Sequence, residues 1–469
     1  MHRSSILLKT AAAVVATYVG FSYTQAQTIE GSWNGKLDAG IAELSIVFNF
    51  SKGNDGKTQC TMDSPEQGAK GIPVNVEYVS ADSLAVAIPS IMARYSGSVT
   101  DGRIDGTFAQ SGMNFKLVLS PGTVELKRPQ TPKPPFPYPI EEVTFTNPED
   151  GTVLSGTLTM PQMVLLGQRV PAVVMVTGSG QQNRDEEIFG HKPFYVIADM
   201  FARYGVATLR YDDRGVDRST GNAAEATTMT NMHDAMAGID FLHKDGRFGR
   251  IGMVGHSEGG TIAFMSASEY PDKLDFIVSM AGAAVRGDSI IVSQNRAALE
   301  YAGMPQADIN SYCLLLDKVL EYRVEHGSIL TDGTSVIDSL AESENVSLPV
   351  PALQNLSKVL TSPSPWMDQF LSLDPQKYIP NVKCPVLAIN GSLDKQVDAK
   401  TNLGAIRRLL PKNEESVIKE YPSMNHLFQH CKSGDVAEYA AIEETMSYEV
   451  REEMAFWILR LKYSDGKKY

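Results

Sequence analysis

Residues 252–260 read Gly-Met-Val-Gly-His-Ser-Glu-Gly-Gly, and they place Ser257 between glycines two positions before it and two positions after it. A serine on a sharp turn from a strand into a helix has a strained backbone and an exposed hydroxyl. The flanking glycines let the strand and the helix approach each other closely. The pattern therefore predicts a nucleophilic serine, although a short stretch of this kind also occurs in ordinary structural turns.

Two further residues follow Ser257 in the order that such a nucleophile requires, an acid and then a histidine. Asp394 comes just after an apolar strand at 385–390, and His426 comes after a strand at 417–421. Imidazole titrates near neutrality, so His426 can take the serine proton and pass it to the leaving group. Asp394 is expected to hold the ring in the correct tautomer and to stabilise its charged form.

The reaction also needs two hydrogen-bond donors for a developing oxyanion. One is the backbone N–H of Glu258, the residue after the nucleophile. A strand predicted at 171–177 opens into a loop whose Ser179 N–H is the expected second donor, with Gly180 as the alternative. The loss of one such donor typically lowers the rate by about 10²–10³.

From about residue 140 onwards the sequence resembles the α/β-hydrolases, close to their serine aminopeptidase-like and dienelactone-hydrolase-like branch. Besides the three residues above, the match rests on segments 177–180, 210–219, 365–368 and 383–386. Thr177 occupies a position where this branch usually has a histidine, and the change leaves the backbone donors in place. The resemblance implies a mostly parallel central sheet and a serine hydrolase reaction, and it leaves the substrate open.

Side chains near the predicted site have more than one interpretation. Asp212 and Asp213 precede the serine, so we expect them to brace the oxyanion loop through Arg214 or Asp217 rather than to replace Asp394. His256 is expected to point away from the site and to pack as a structural residue.

A helical pattern replaces the alternation of strands and helices from about residue 286 to residue 378, with apolar residues every three or four positions at 307–323. In the hydrolases that this chain resembles, an insertion at this place forms a lid over the serine. Trp366 is the predicted substrate-binding residue of the lid. Met304 and Tyr312 belong either to the pocket or to the core of the lid.

The region 28–122 has short alternating apolar runs between Gly, Asp and Asn turns, which predict a small all-β domain, a lipocalin-like sandwich or barrel. Trp33 at its start either stacks on a sugar or plugs one end of the domain. Residues 123–139 include six prolines between 128 and 139 and predict a stiff, extended linker. The catalytic domain is expected at 140–469.

The first 26 residues combine a basic start, an apolar stretch and small residues up to Ala26, which predicts a cleaved secretory signal peptide. The alternative is an uncleaved anchor. No later segment is predicted to span a membrane. We therefore expect an exported protein, secreted or in a bacterial periplasm.

The formal net charge of −13 argues against nucleic acid as a partner. The four cysteines, Cys60, Cys313, Cys384 and Cys431, lack paired spacing, so thiols are favoured over disulfides. The histidines have no ligand spacing for zinc, and neither a metal nor another cofactor is expected.

The sequence thus predicts a serine hydrolase that cleaves carboxylic esters, such as acyl groups on glycans or small acylated metabolites. A serine aminopeptidase acting on short peptides is the alternative, and its anchor for a substrate amino group would be Glu187, Glu342 or Glu344. A third hypothesis is a binding protein whose β domain binds a glycan or surface ligand and whose hydrolase domain is vestigial.

Overall fold

The computed structural model describes residues 29–38, 43–67, 69–110, 112–124, 126–164, 168–329 and 332–462. The predicted signal peptide at 1–26 lies outside the described residues. Contacts divide the chain into two compact units, with a boundary between Thr123 and Val124. Within the described residues, no helix is both long enough and apolar enough to cross a membrane.

The first unit is a closed barrel in which each strand pairs with the next in chain order and the last pairs with the first. Its strands are β1 (Gly31–Asp38), β2 (Glu43–Lys52), β3 (Thr58–Ser64), β4 (Ala69–Val79), β5 (Ser83–Ile88), β6 (Ala93–Thr100), β7 (Arg103–Gln110) and β8 (Met113–Pro121). Closure pairs every strand edge, which removes the unpaired backbone groups of an open sheet. Of the two predicted β architectures, the barrel is the one that forms.

Aromatic side chains fill the barrel interior because every second residue of a strand points inward. Phe48, Tyr95 and Phe108 are fully buried, and the rings of Phe48 and Tyr95 stack with centroids 5.4 Å apart. Trp33 is only 3% exposed, and its Nε1 donates to the carbonyl oxygen of Ile29 at 3.0 Å. Trp33 therefore belongs to the core and offers no exposed platform for a sugar.

The proline-rich segment is fastened to the second unit. The Arg128 guanidinium donates to the carbonyl oxygens of Phe189 at 2.7 Å and Ala440 at 2.8 Å. The hydroxyl of Tyr138 donates to Asp199 at 2.8 Å, and Tyr138 is buried. At Arg128 and Tyr138 the segment therefore packs against other residues of the second unit.

The second unit is built on a sheet in the order β16-β15-β14-β13-β11-β12-β10-β9. Its strands are β9 (Ile140–Thr146), β10 (Val153–Thr159), β11 (Val170–Val176), β12 (Ala207–Tyr211), β13 (Phe248–His256), β14 (Phe276–Met280), β15 (Val386–Gly391) and β16 (Val417–Tyr421). The strands from β11 onward run parallel, and β9 and β10 join them antiparallel. Every residue of β11 and β13 is buried, as expected for a parallel sheet covered on both faces.

Two groups of helices accompany this sheet. The helices that follow its strands are α1 (Pro193–Tyr204), α2 (Thr228–Asp245), α3 (Glu258–Glu269), α9 (Ala399–Leu409) and α10 (Tyr448–Arg460). Between β14 and β15 lie α4 (Gly287–Tyr301), α5 (Gln306–His326), α6 (Thr334–Ser343), α7 (Val350–Thr361) and α8 (Pro365–Ser372). The second group has an apolar core of its own around Leu315, Leu320 and Leu356, and we call it the lid. The sheet order, the crossover helices and the inserted lid confirm the predicted α/β-hydrolase fold.

Candidate active site

Ser257 occupies the turn between β13 and α3 with φ 54° and ψ −118°, a left-handed region that side chains rarely adopt. Its N–H donates to the carbonyl oxygen of Met280 at 2.8 Å. A Cβ on Gly259 would lie 2.1 Å from the carbonyl oxygen of Val176, and one on Gly255 would lie 1.9 Å from that of Gly259. Only glycine fits at both positions, so the sequence pattern around Ser257 encodes this turn directly.

Asp394 and His426 lie in the loops after the neighbouring parallel strands β15 and β16. His426 Nδ1 is 2.7 Å from Asp394 Oδ2, and both side chains are almost fully buried. Asp394 Oδ1 accepts the backbone N–H groups of Gln396 at 2.8 Å and Val397 at 2.9 Å. The carboxylate is thereby fixed, and it leaves His426 Nε2 as the nitrogen available for proton transfer.

The loop that follows β11 is held by a carboxylate from the end of the neighbouring strand β12. Asp213 accepts the Thr177 hydroxyl at 2.9 Å and the Gln182 N–H at 3.0 Å. Burial raises the pKa of Asp213 to about 8, against the opposing effect of these hydrogen bonds. The predicted bracing role is therefore carried by direct contacts.

Of the two expected routes of that bracing, the one through Arg214 is wrong. Arg214 instead pairs with Asp234 at 2.7 Å and with Asp150 at 2.9 Å. Asp212 acts through a different arginine, Arg184, whose guanidinium lies 2.6 Å from the carboxylate. The sequence of the 210–219 segment shows which residues are charged, but it does not show which residues they pair with.

The two expected oxyanion donors are the N–H groups of Ser179, which lines the same cavity as Ser257, and of Glu258, which follows Ser257 in the chain. Glu258 is the first residue of α3, so its N–H has no partner within the helix. Ser179 follows Gly178, whose own N–H is already donated to Glu186 Oε1 at 2.8 Å. Gly178 is thus excluded as a donor, and Ser179 is the next amide along the loop.

The side chain of Glu258 is buried and connects the turn to the lid. Its carboxylate accepts the Trp366 Nε1–H at 2.9 Å and the Thr228 hydroxyl at 2.6 Å. Burial raises the pKa of Glu258, and the hydrogen bonds from Thr228, Ser179 and Trp366 oppose that rise. Trp366 also stacks on Phe370, with ring centroids 4.8 Å apart.

A single cavity of about 210 Å³ brings the predicted residues Ser257, His426, Ser179 and Trp366 together. The remaining lining residues, mostly neutral, are Gly178, Gln182, Glu186, Ile188, His256, Ile291, Gln294, Phe370, Gln396 and Leu427. Asp394 reaches this cavity through His426. The predicted alternatives Met304, Tyr312, Glu187, Glu342 and Glu344 are not among its lining residues.

His256 and Glu186 are the residues that the sequence did not assign to the site. The expectation that His256 points away is wrong, because its ring lines the cavity with its centroid 4.6 Å from that of His426. Glu186 lies in the loop before α1 and is 4% exposed. It stands in a run of three acidic residues, 185–187, so nothing in the local pattern distinguishes it.

A second, more open cleft of about 640 Å³ is lined by charged residues, among them Glu142, Arg184, Asp212 and Lys192. Arg184 pairs with both Glu142 and Asp212, and Lys192 pairs with Asp185. Most of the charges of this cleft are thus paired with one another, and Ser257 does not line it. The chemistry belongs to the smaller cavity.

Within the described residues, no group of three or more His, Cys, Asp or Glu side chains could hold a metal ion. The four cysteines form no disulfide among themselves.

The profile of the family described as X-Pro dipeptidyl-peptidase (S15 family) matches residues 150–418, more than half of the chain. Esterase EstD of Thermotoga maritima is 23% identical over 282 residues, which cover 58% of this chain and 58% of that esterase. The chain therefore spans less than two thirds of the length of this relative.

Among solved structures, the Pyrococcus furiosus esterase Pf2001 shares 14% identity, covering 72% of this chain and 99% of its own, with a TM-score of 0.42. Est1E from Butyrivibrio proteoclasticus shares 15% identity, covering 68% of this chain and 99% of its own, with a TM-score of 0.39.

Proposed function

This chain belongs to the X-Pro dipeptidyl-peptidase (S15) family of serine hydrolases, and on that premise we propose that it hydrolyses carboxylic esters through an acyl-enzyme. The observation that carries the proposal is the shared cavity, in which the strained Ser257 and the Asp394-bound ring of His426 both line one wall. A hydroxyl, a base and an orienting acid in this arrangement form the machinery of acyl transfer.

In the proposed mechanism, Ser257 Oγ attacks the acyl carbon while His426 Nε2 takes its proton. The N–H groups of Ser179 and Glu258 bind the oxyanion of the tetrahedral intermediate. Collapse of this intermediate breaks the ester C–O bond, and His426 returns the proton to the leaving alcohol. Water then repeats these steps on the acyl-enzyme and releases the acid.

The lining of the cavity favours an ester over a peptide with a free amino end. An aminopeptidase needs an anionic anchor for the substrate ammonium group. Glu186 is the acid in the lining, and its Oε1 is occupied by the Gly178 N–H and His256. Glu187 lies 3.2 Å from the Lys192 ammonium, so its charge is also compensated. Amide and apolar side chains such as Gln294 and Phe370 suit a small uncharged acyl group.

The second proposed activity is that of a serine exopeptidase. The observation that favours it is the family profile itself, since its description names a dipeptidyl-peptidase that acts after X-Pro. In this case a substrate ammonium group would have to displace one of the existing partners of Glu186.

Two measurements test these proposals. A fluorophosphonate should label Ser257, identified by peptide mapping, and should leave the Ser257→Ala variant unlabelled. Hydrolysis of nitrophenyl acetate, butyrate and hexanoate should exceed that of aminoacyl and X-Pro anilides. Faster cleavage of the anilides, abolished by N-acetylation of the substrate, would establish the peptidase instead. Absence of both labelling and ester turnover would refute the proposal that this protein is an enzyme. The alternative of a binding protein would then remain.

We also propose that the protein is exported, on the basis of the signal-like sequence that ends at Ala26. Amino-terminal sequencing of the protein recovered from a periplasmic or culture fraction should start after Ala26. Recovery of the uncleaved chain from the membrane fraction would support the anchor alternative.

A further inference from the structure

The ring of His256 lies between two hydrogen-bond acceptors. Its Nδ1 is 2.9 Å from Glu186 Oε1, and its Nε2 is 2.9 Å from the backbone carbonyl oxygen of His426. A carbonyl oxygen can only accept, so Nε2 must carry a proton. Rotating the ring by 180° would place carbon atoms against both oxygens, which leaves this orientation as the one that satisfies them.

Neither neutral tautomer of His256 donates from both ring nitrogens. If Glu186 is ionised, Nδ1 must also carry a proton, and the ring is an imidazolium. Glu186 Oε1 already accepts the Gly178 N–H, and Glu186 Oε2 is buried with no hydrogen-bond partner among the described residues. A buried carboxylate in this state needs an adjacent positive charge, and His256 is the group in contact with it.

The charged groups around this pair agree with that assignment. Burial disfavours the charge on His256, but Glu186, the His426 carbonyl and the nearby Asp394 outweigh it and raise the pKa of His256. Asp213 also interacts electrostatically with Glu186, and the pKa of Asp213 is raised to about 8 by burial and by the Glu186 charge among other causes. Because a neutral Asp213 cannot compensate the negative charge of Glu186, His256 is the group that does so.

We propose that Glu186 and His256 form a buried carboxylate–imidazolium pair that positions the oxyanion loop and the catalytic histidine relative to Ser257. Glu186 holds the loop through Gly178, His256 holds the backbone of His426, and His256 directly precedes Ser257 in the chain. Glu186 has a backbone φ of 52°, a strained conformation that persists only where surrounding contacts impose it. This inference rests on the proposed roles of Ser257 and His426.

The pair also bears on the rate of the reaction. The ring centroids of His256 and His426 are 4.6 Å apart, and His256 Nε2 donates to the His426 backbone carbonyl oxygen. Loss of this bond should shift His426 relative to Ser257, so the rate of acyl transfer should fall even in a folded variant. A purely structural pair would stabilise the fold without affecting that rate.

His191 provides a matched control within the same chain. It is also fully buried, and its Nε2 lies 2.9 Å from the Tyr439 carbonyl oxygen, but its Nδ1 faces the Thr445 hydroxyl, which can donate. Burial lowers the pKa of His191 to about 4, so this ring is neutral. The two histidines thus share burial and differ in charge.

The first experiment is ¹⁵N NMR of histidine-labelled full-length protein, with His256→Gln and His191→Gln variants to assign the two rings. Between pH 6 and 8, His256 should show two protonated ring nitrogens and His191 a neutral ring. Glu186→Gln should convert His256 to a neutral ring. A neutral His256 at pH 7 in the wild type would overturn the proposal.

The second experiment measures the rate at which a fluorophosphonate labels Ser257 in the folded protein. In His256→Gln this rate should fall about tenfold or more. His191→Gln should leave the rate unchanged for the folded fraction. A charged His256 whose removal does not alter the rate would overturn the positioning role. Failure of the wild type to label at all would instead refute the proposed function and leave the NMR result intact.

Discussion

The two walls of the catalytic cavity are built differently. The wall at the strand ends carries Ser257, His426, His256 and Glu186, each held by contacts from neighbouring loops or strands, and all of them except the partly exposed Ser257 are buried. The wall from the lid presents neutral side chains, Ile291 and Gln294 from α4 and Trp366 and Phe370 from α8. Charge and strain are thus concentrated on one side of the substrate.

Because of this difference, we expect one wall to carry out the reaction and the other wall to select the substrate. The positions at the strand ends are set by a buried parallel sheet, so a change there alters atoms that take part in bond breaking. The lid packs around a core of its own, and its polar links to the rest of the unit include Trp366 to Glu258, Gln294 to the Gln396 carbonyl oxygen and Gln369 to the Met229 N–H. We therefore expect sheet-side substitutions to reduce kcat and lid-side substitutions to change KM and acyl preference.

Removing the nucleophile should have the largest effect. Ser257→Ala deletes the atom that forms the acyl-enzyme, and kcat for a short nitrophenyl ester should fall by about 10⁴-fold or more. The melting temperature should not fall, because the turn keeps its glycines. Residual activity above about 1% of the wild type that a fluorophosphonate abolishes would mean that another serine is the nucleophile.

Removing the orienting acid Asp394 should have the second-largest effect. Asp394→Asn keeps the shape of the side chain but replaces the acceptor of the His426 Nδ1 proton, so kcat should fall by about 10³–10⁴-fold. Asp398→Asn is the matched control, because Asp398 makes the same kind of backbone contact as the N-cap of α9. It should leave kcat unchanged. An equal loss in both variants would point to damage of the 391–398 loop instead of the tautomer.

A third prediction concerns stability on the same wall. The pKa of Asp213 rises on folding from 3.8 to about 8, so between these values the folded state holds a proton that the unfolded state has lost. Stability should therefore fall as pH rises through this window, by at most about 1.4 kcal/mol per pH unit. Asp213→Asn keeps acceptors and donors for Gln182 and Thr177, and it should flatten this slope in urea unfolding measured from pH 5 to 8. An unchanged slope would show that Asp213 is ionised in the fold.

Local patterns predicted the parts of the site that a backbone conformation dictates. Gly255 and Gly259 have no room for a Cβ, so these two glycines in the sequence predict the turn at Ser257 directly. Asp394 and His426 could be predicted for a related reason, since parallel strands end at one edge of the sheet and the loops after them meet there. The strand Val417–Tyr421 was predicted with its observed bounds.

The partners of buried charges could not be predicted in this way. Asp213 contacts Thr177 and Gln182, residues more than 30 positions away, and Arg214 turns to Asp234 on α2. Which of several nearby charges pair depends on how β11, β12 and α2 pack, and spacing in the sequence carries no information about that choice. The role of His256 was missed for the same reason, because its partner Glu186 is 70 residues earlier.

The smallest expected effect tests the lid wall. Trp366→Phe keeps an aromatic ring to stack on Phe370 but removes the N–H that binds Glu258, so the lid should lose a contact that fixes its distance from the turn. We expect KM for nitrophenyl butyrate to rise about three- to tenfold with kcat within about threefold, because one neutral-to-charged hydrogen bond is worth about 1.5–3 kcal/mol and part of it is replaced by water. The acetate-to-hexanoate activity ratio should change with it. Tyr312→Phe, a lid substitution outside the cavity lining, is the control and should alter neither quantity. A fall in kcat that exceeds the change in KM would mean that the lid positions the reacting atoms as well, and that the two walls act together.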